Sequence, residues 1–209
     1  MASTVDVAQI QQTVGPLIPQ ANGAVANYLR AGATGETVIG QAHARYHEAV
    51  SRGRVYCACS QAAVTWGTAL TGTAVTYTLY NPVGSGVNLS LLQTSISQIT
   101  GSTAGTLVYA ANVNPNAAAP ATNTSLTVRN AKLDMGGGVA QVYSVTTLPA
   151  APVAIRVLGY AITAAGVGSF TDYVDGAIMV APNTAITIQG ITIVGTGLVS
   201  MAWEEVPYL

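Results

Sequence analysis

Val174-Asp-Gly-Ala-Ile-Met-Val-Ala-Pro-Asn-Thr-Ala-Ile-Thr-Ile-Gln-Gly-Ile-Thr-Ile-Val-Gly-Thr-Gly-Leu-Val-Ser-Met-Ala-Trp203 carries the pattern that decides the fold. Ile178 and Val180, then Ile186 and Ile188, then Val199, Met201 and Trp203 recur at every second position, the period of a strand with one apolar face. Asp175-Gly176, Pro182-Asn183 and Gly195-Thr196-Gly197 stand between the runs as turn formers. At Gly190 the apolar phase slips from Ile186 and Ile188 to Ile191 and Ile193, which predicts a bulge or bend at the glycine. Three successive strands, each apolar on one side, need a second sheet to cover that side.

Upstream of this stretch the same reading continues back to Arg54. Strands are expected over 55–60, 62–66, 74–80, 87–99, 105–113, 125–129, 139–148, 153–163 and 170–173, separated by turn material such as Asn81-Pro-Val-Gly-Ser-Gly86 and Pro149-Ala-Ala-Pro152. Val75, Tyr77 and Leu79 face one way, and Thr76, Thr78 and Tyr80 the other. So many short strands with short turns predict a mainly β fold, an antiparallel jelly-roll-like β-sandwich over 53–209.

Residues 1–52 read differently, as an arm of short helices. Ser3-Thr-Val-Asp6 resembles a capping box before Val7, Ile10 and Val14; a second helix is expected from about Asn22 to Arg30. Val38, Ala42, Tyr46 and Ala49 lie on one stripe of a third, over Glu36–Ser51. Such pieces make no core, so the arm is expected to gain its order by docking.

Only 7% of the residues are charged and half are apolar, against about 25% charged in ordinary soluble domains. Between Arg54 and Arg129 there is no Lys, Arg, Asp or Glu. A surface so poor in charge is poorly protected against association, and copies of the chain or other partners are expected to cover much of it. The net charge of −1 argues against nucleic acid as a ligand. No stretch approaches the roughly 18 uninterrupted apolar residues of a membrane helix, so no membrane partner is expected. Met1-Ala-Ser-Thr-Val-Asp-Val7 has neither the basic start nor the apolar core of a secretory signal, which predicts synthesis in a cytosol.

Chemistry-bearing groups are sparse. His43 and His47, four apart, would share a helix face, but no acid or thiol is placed to complete a metal site with them; an ordinary interface pair is the plainer reading. Cys57 and Cys59 would point to the same side of a strand, too far apart for an easy disulfide within it. Two small buried thiols are the plain reading, with an interchain bridge or shared metal as alternatives. Asp172 with Asp175 flanks a turn, and Glu204 and Glu205 face opposite ways, so neither is a glycosidase couple. Met135-Gly-Gly-Gly138 lacks the Lys-Ser/Thr and helix of a phosphate cradle. Trp66, Trp203 and the tyrosines suit core and subunit packing better than a sugar-stacking platform. No enzyme activity, cofactor or metal is expected.

Asp175-Gly-Ala-Ile-Met-Val-Ala-Pro-Asn-Thr-Ala-Ile-Thr-Ile-Gln189, followed by a Gly/Thr turn and Met201-Ala-Trp-Glu-Glu-Val-Pro207, resembles the C-terminal end of tailed-bacteriophage structural proteins of the head-decoration and head-fibre kind. Asn81-Pro-Val-Gly-Ser-Gly-Val-Asn-Leu89 resembles an internal turn and strand of the same proteins. The resemblance covers roughly 53–209 and leaves the arm unmatched. It implies a β-sandwich subunit that forms homotrimers on the outside of a virion, made in the cytoplasm of the host bacterium.

The expectation is therefore a non-enzymatic capsid decoration, cement or head-fibre subunit whose partners are itself and the major capsid protein or other virion proteins. In it Arg30, His43, Arg45, Tyr46, His47, Arg52 and Arg54 would dock the arm on the capsid. Tyr160, Met201 and Trp203 would pack between subunits, and Cys57 and Cys59 are the candidate interchain thiols. The alternatives are a tail or receptor-binding module reading host glycans through loops such as 114–123, and a self-assembling shell protein.

Overall fold

A computed structural model describes residues 30–31, 37–38, 45–112, 119–163 and 168–207. They fall into two compact units, divided between Arg45 and Tyr46. In the first, Arg30–Ala31 (β1) pairs antiparallel with Thr37–Val38 (β2), Arg30 opposite Val38. This corrects the start of the third expected helix: Thr37 and Val38, both β-branched, are strand. Its end is helical over His47–Ser51 (α1), in the second unit, and 39–44 lie outside the described residues. Gly53 at φ +69° stops α1 one turn on. The two earlier helices lie outside the described residues apart from Arg30, which is in β1.

The second unit is built of strands. After α1 come β3 (Val55–Cys59), β4 (Val64–Thr65), β5 (Tyr77–Asn81), β6 (Val87–Thr103), β7 (Gly105–Asn112) and β8 (Ala121–Leu126). β9 (Arg129–Asn130), β10 (Gln141–Thr147), β11 (Val153–Ala161), β12 (Gly168–Val180), β13 (Thr184–Ile191) and β14 (Val194–Pro207) follow. One sheet has the order β11-β7-β13-β5-β10-β8; the other is β12-β6-β14-β3-β9, with β4 also on β14. Every pairing between these strands is antiparallel.

The chain crosses between sheets at each step from β5 to β7 and again from β11 to β14. Eight strands thus form two facing four-stranded layers, β3-β14-β6-β12 and β5-β13-β7-β11, the winding of a jelly roll. β8, β9 and β10 are inserted between β7 and β11 and widen both sheets past β5 and β3.

Between the layers lies one core of Trp203, Tyr77, Tyr109, Leu79, Leu91, Ile188 and their neighbours, each essentially without solvent access. Trp203 stacks on Tyr56 with ring centroids 6.5 Å apart. Tyr77, reaching across from β5, donates its hydroxyl to the Ala58 carbonyl of β3 at 2.9 Å, so this buried hydroxyl is satisfied. Asn81, fully buried, donates to the carbonyls of Val87 (2.8 Å) and Val180 (2.9 Å), tying the β5–β6 turn to the end of β12.

Several expected turns are something else. Asp175-Gly176 lies inside β12, where Tyr173 faces Gln93 and Ile178 faces Leu91: five steps on one strand against two on the other. The surplus is taken up as a bulge, with Asp175 at φ +52° and Gly176 at φ +84°. Gly195 and Gly197 are interior to β14; a Cβ on Gly197 would strike the Trp66 ring and the Ser97 carbonyl. Pairing with β7 runs unbroken through Gly190, so the expected bend is displaced to Thr192, at φ +59°, where β13 hands over to β14. Val75 also leaves its predicted phase. It bridges to Thr146 and joins Tyr80, Tyr143, Leu148 and Ala185 in a smaller cluster on the other side of β5 from Leu79.

That outer cluster is roofed by the segment before β5. Gln189 on β13 accepts from the Thr71 amide at 2.9 Å and returns a bond to the Thr71 carbonyl at 3.0 Å, as a neighbouring strand would. Leu148 donates its amide to the Gly72 carbonyl at 2.6 Å.

Candidate functional site

The acids and bases read as candidate site residues are largely engaged with one another. Arg52 pairs with Glu48, Nε to Oε1 at 2.7 Å, across one turn of α1. Arg54 lies 3.0 Å from Glu204. Tyr46 donates its hydroxyl to Asp175 in the β12 bulge, so α1 and its first flank are bound to the sandwich. The sandwich unit accordingly begins at Tyr46, before the expected boundary after residue 52. Arg45 closes the other unit, Arg30 lies in β1, His47 opens α1, and His43 lies outside the described residues.

Glu204 and Glu205 do face opposite ways. Glu205 is buried, and one carboxylate oxygen accepts the amides of Val139 (2.9 Å) and Ala140 (3.1 Å). Of the glycines in Met135-Gly-Gly-Gly138, Gly138 serves the chain's own anion: a Cβ there would collide with that carboxylate. Asp172 pairs with Arg156 at 2.9 Å. Among the described residues no group of three or more His, Cys, Asp or Glu is placed to hold a metal.

Met201 and Trp203, expected between subunits, are 1% and 0% exposed and fill the chain's own core. Alternation put them on an apolar face, and the second sheet of the same chain covers it. Tyr160, by contrast, is 62% exposed. Trp66 is also buried, which removes both tryptophans as a sugar platform. Of the loop expected to read glycans, 114–118 lie outside the described residues. Asn123 is structural: it donates to the Pro120 carbonyl at 2.7 Å and accepts from Thr146.

Cys57 and Cys59 are free thiols on β3, half-buried and exposed, not the two buried thiols of the plain reading. Met201 faces Ala58 inward, so the residues beside it point out. Burial, then the neighbouring Cys59, pushes the Cys57 thiol up.

These thiols lie on a broad outer face. Register aligns Cys59 with Ser200, Ser95 and Thr171 in one row across β3, β14, β6 and β12. A second row joins Cys57, Ala202, Gln93 and Tyr173, and a third Leu198, Ser97 and Ser169. None of these side chains is charged; charge stands at the rim, in Arg129, Asp175 and the Arg54–Glu204 pair. The polar groups bond to one another: Ser95 with Thr171 at 2.9 Å, Gln93 to Ser95 at 3.2 Å, Thr100 with Thr196 at 2.8 Å. Covering such a face buries no charge.

An open groove of about 480 Å³ runs beside it, lined by Cys57, Cys59, Gln61, Thr127, Arg129 and Ser200. Another, of about 520 Å³, lies between β4 and β8 with neither charged nor aromatic lining. No family model, curated protein or solved structure matches this chain.

Proposed function

We propose that this chain is a non-enzymatic structural subunit of a tailed-bacteriophage particle: a capsid decoration, cement or head-fibre protein that trimerises and joins the capsid through its N-terminal arm. The observation that carries the reading is the outer face of β3-β14-β6-β12. It has three rows of side chains without a charge, and in the first Ser95 and Thr171 bond to each other, so burying it removes no charge from water. The acids described above have structural work within the chain, as partners of Arg52, Arg54, Arg156, Tyr46 or backbone amides. The resemblance of 81–89, 175–189 and 201–207 to head-decoration and head-fibre proteins supplies the setting. Many copies on one shell turn modest single contacts into stable attachment.

The test mixes the purified full-length chain with heads of a tailed bacteriophage that lack it and follows co-sedimentation. Saturable binding is expected, with loss of binding on deleting residues 1–45. A chain that never binds heads, or binds equally well without the arm, overturns the attachment reading.

A further inference from the structure

Cys57 and Cys59 are thiols that neither the core nor a disulfide uses, and both line the open groove beside β3. On one side of an extended strand their Cβ atoms stand roughly 6.6 Å apart, two rises of about 3.3 Å. A disulfide needs its sulfurs about 2.05 Å apart, which that spacing resists. An ion between the sulfurs relaxes the demand, because metal–thiolate bonds of about 2.3 Å set the sulfurs of a linear pair about 4.6 Å apart. Two side chains leaning toward each other from one strand span that distance. Burial first, and then the neighbouring Cys59, raise the Cys57 thiol, so the two sulfurs lie within electrostatic reach of each other. The Cys59 thiol donates to the Ser60 carbonyl at 3.4 Å, a weak donor's bond that costs little to give up.

The rest of the groove selects the ion. Gln61, Thr127 and Ser200 bring amide and hydroxyl groups, and among the described residues no carboxylate or imidazole lines it. Calcium or magnesium would find none of the charged oxygen that such hard ions take. No third His, Cys, Asp or Glu among the described residues joins the pair, so the four-ligand set of structural zinc is not assembled either. Two thiolates suit a soft ion, and of these Cu(I) is the one that sulfur ligands select without a fuller set. Charge agrees with this choice. Arg129 stands opposite Cys57 in the pairing of β3 with β9, lines the same groove and forms no ion pair among the described residues. A monovalent cation between two thiolates leaves one net negative charge, which the Arg129 guanidinium offsets.

We propose that this groove binds Cu(I) in two-coordinate form between the Cys57 and Cys59 sulfurs, with Arg129 beside it as counter-charge. Each thiol releases its proton to solvent as its sulfur bonds to the ion. Copper enters and stays as Cu(I), so no electron moves and no oxidant is needed. One chain holds the whole site.

The test titrates reduced, full-length protein with Cu(I) under exclusion of oxygen, against a chromophoric Cu(I) chelator, and counts bound ions by native mass spectrometry. One ion per chain is expected. Cys57→Ser and Cys59→Ser should each weaken binding by about 100-fold or more with unchanged circular dichroism, because a hydroxyl is a poor ligand for so soft an ion. Arg129→Ala should weaken it about two- to five-fold, and Arg129→Lys should restore most of the loss. One equivalent of Cu(I) should also shield both thiols of the unaltered chain from iodoacetamide.

Protein that yields all its Cu(I) to the chelator overturns the proposal. So does a single-serine variant that binds as tightly as the wild type, or protection of one thiol without the other, since the two sulfurs then do not act together. Half an ion per chain, with a mass that doubles on adding copper, places the ion between copies and overturns the one-chain site. Zinc held as tightly as Cu(I) means a fuller ligand set and overturns the two-coordinate one. An affinity unmoved by Arg129→Ala strikes the arginine from the site.

Discussion

Arg156 on β11 and Asp172 on β12 lie 2.9 Å apart and join the outermost strands of the two sheets where the sandwich would otherwise gape. The Asp172 side chain is 18% exposed and that of Arg156 40%, so water screens the pair in part. Its coupling is expected to be modest, about 1 kcal/mol or less in a double-mutant cycle of Arg156→Ala and Asp172→Ala followed by urea unfolding. Asp172→Ala alone should cost more than that coupling, because it also strips a carboxylate packed into the joint. A coupling above about 3 kcal/mol would mean that the pair is sealed from solvent.

Trp203 decides between core and interface. Buried at 0% exposure and stacked on Tyr56, it is expected to lose about 3–5 kcal/mol of folding stability as Trp203→Ala, and clearly less as Trp203→Phe. Denaturant titration at low protein concentration reads this directly. Had Trp203 stood between subunits, the alanine variant would leave stability unchanged at low concentration and shift only the assembly.

The strand glycines act through space and the turn glycines through backbone angle. Gly197→Ala would drive a methyl into the Trp66 ring and the Ser97 carbonyl, and is expected to cost about 1–3 kcal/mol. Gly84→Ala meets nothing within 4 Å, and only its φ of +72° resists, at about 1 kcal/mol. Melting temperatures of the two variants should rank Gly197→Ala below Gly84→Ala. The reverse order would show that Trp66 moves aside easily.

Local periodicity made the sandwich legible, and the misreadings have physical causes. The alternation of Tyr77 with Leu79 and of Val199 with Met201 and Trp203 marks strands because the period of two is set within each strand. Asp175-Gly176 reads as a turn because turns and bulges draw on the same residues, those that tolerate positive φ. Gly195 and Gly197 have the composition of a turn, yet Gly197 is glycine because Trp66, far off in sequence, lies over β14, and Gly195 because the Thr100 carbonyl of β6 presses against it. The outer face was hidden for a related reason. Cys59, Ser200, Ser95 and Thr171 are ordinary polar strand residues until pairing sets them in one row. The engagement of Gln189 with Thr71, 118 residues away, has no local signature at all.

Alkaline pH should weaken this fold in a definable window. Burial pushes the hydroxyls of Tyr77 and Tyr109 well above the ordinary phenol value of 10.0. In the folded chain both keep their protons at a pH where the unfolded chain releases them. The unfolded state then binds fewer protons, and unfolding becomes easier as pH rises. Their contribution is complete below about pH 10 and is lost above it, at about 1.4 kcal/mol per pH unit for each tyrosine. Tyr77→Phe should reduce that slope by one tyrosine's share. At neutral pH it should cost about 1 kcal/mol, because the Ala58 carbonyl loses its donor. Urea midpoints from pH 8 to 11.5 check both effects. A slope unchanged by Tyr77→Phe would mean that this hydroxyl ionises in the folded protein, and so that water reaches the core between β3 and β5.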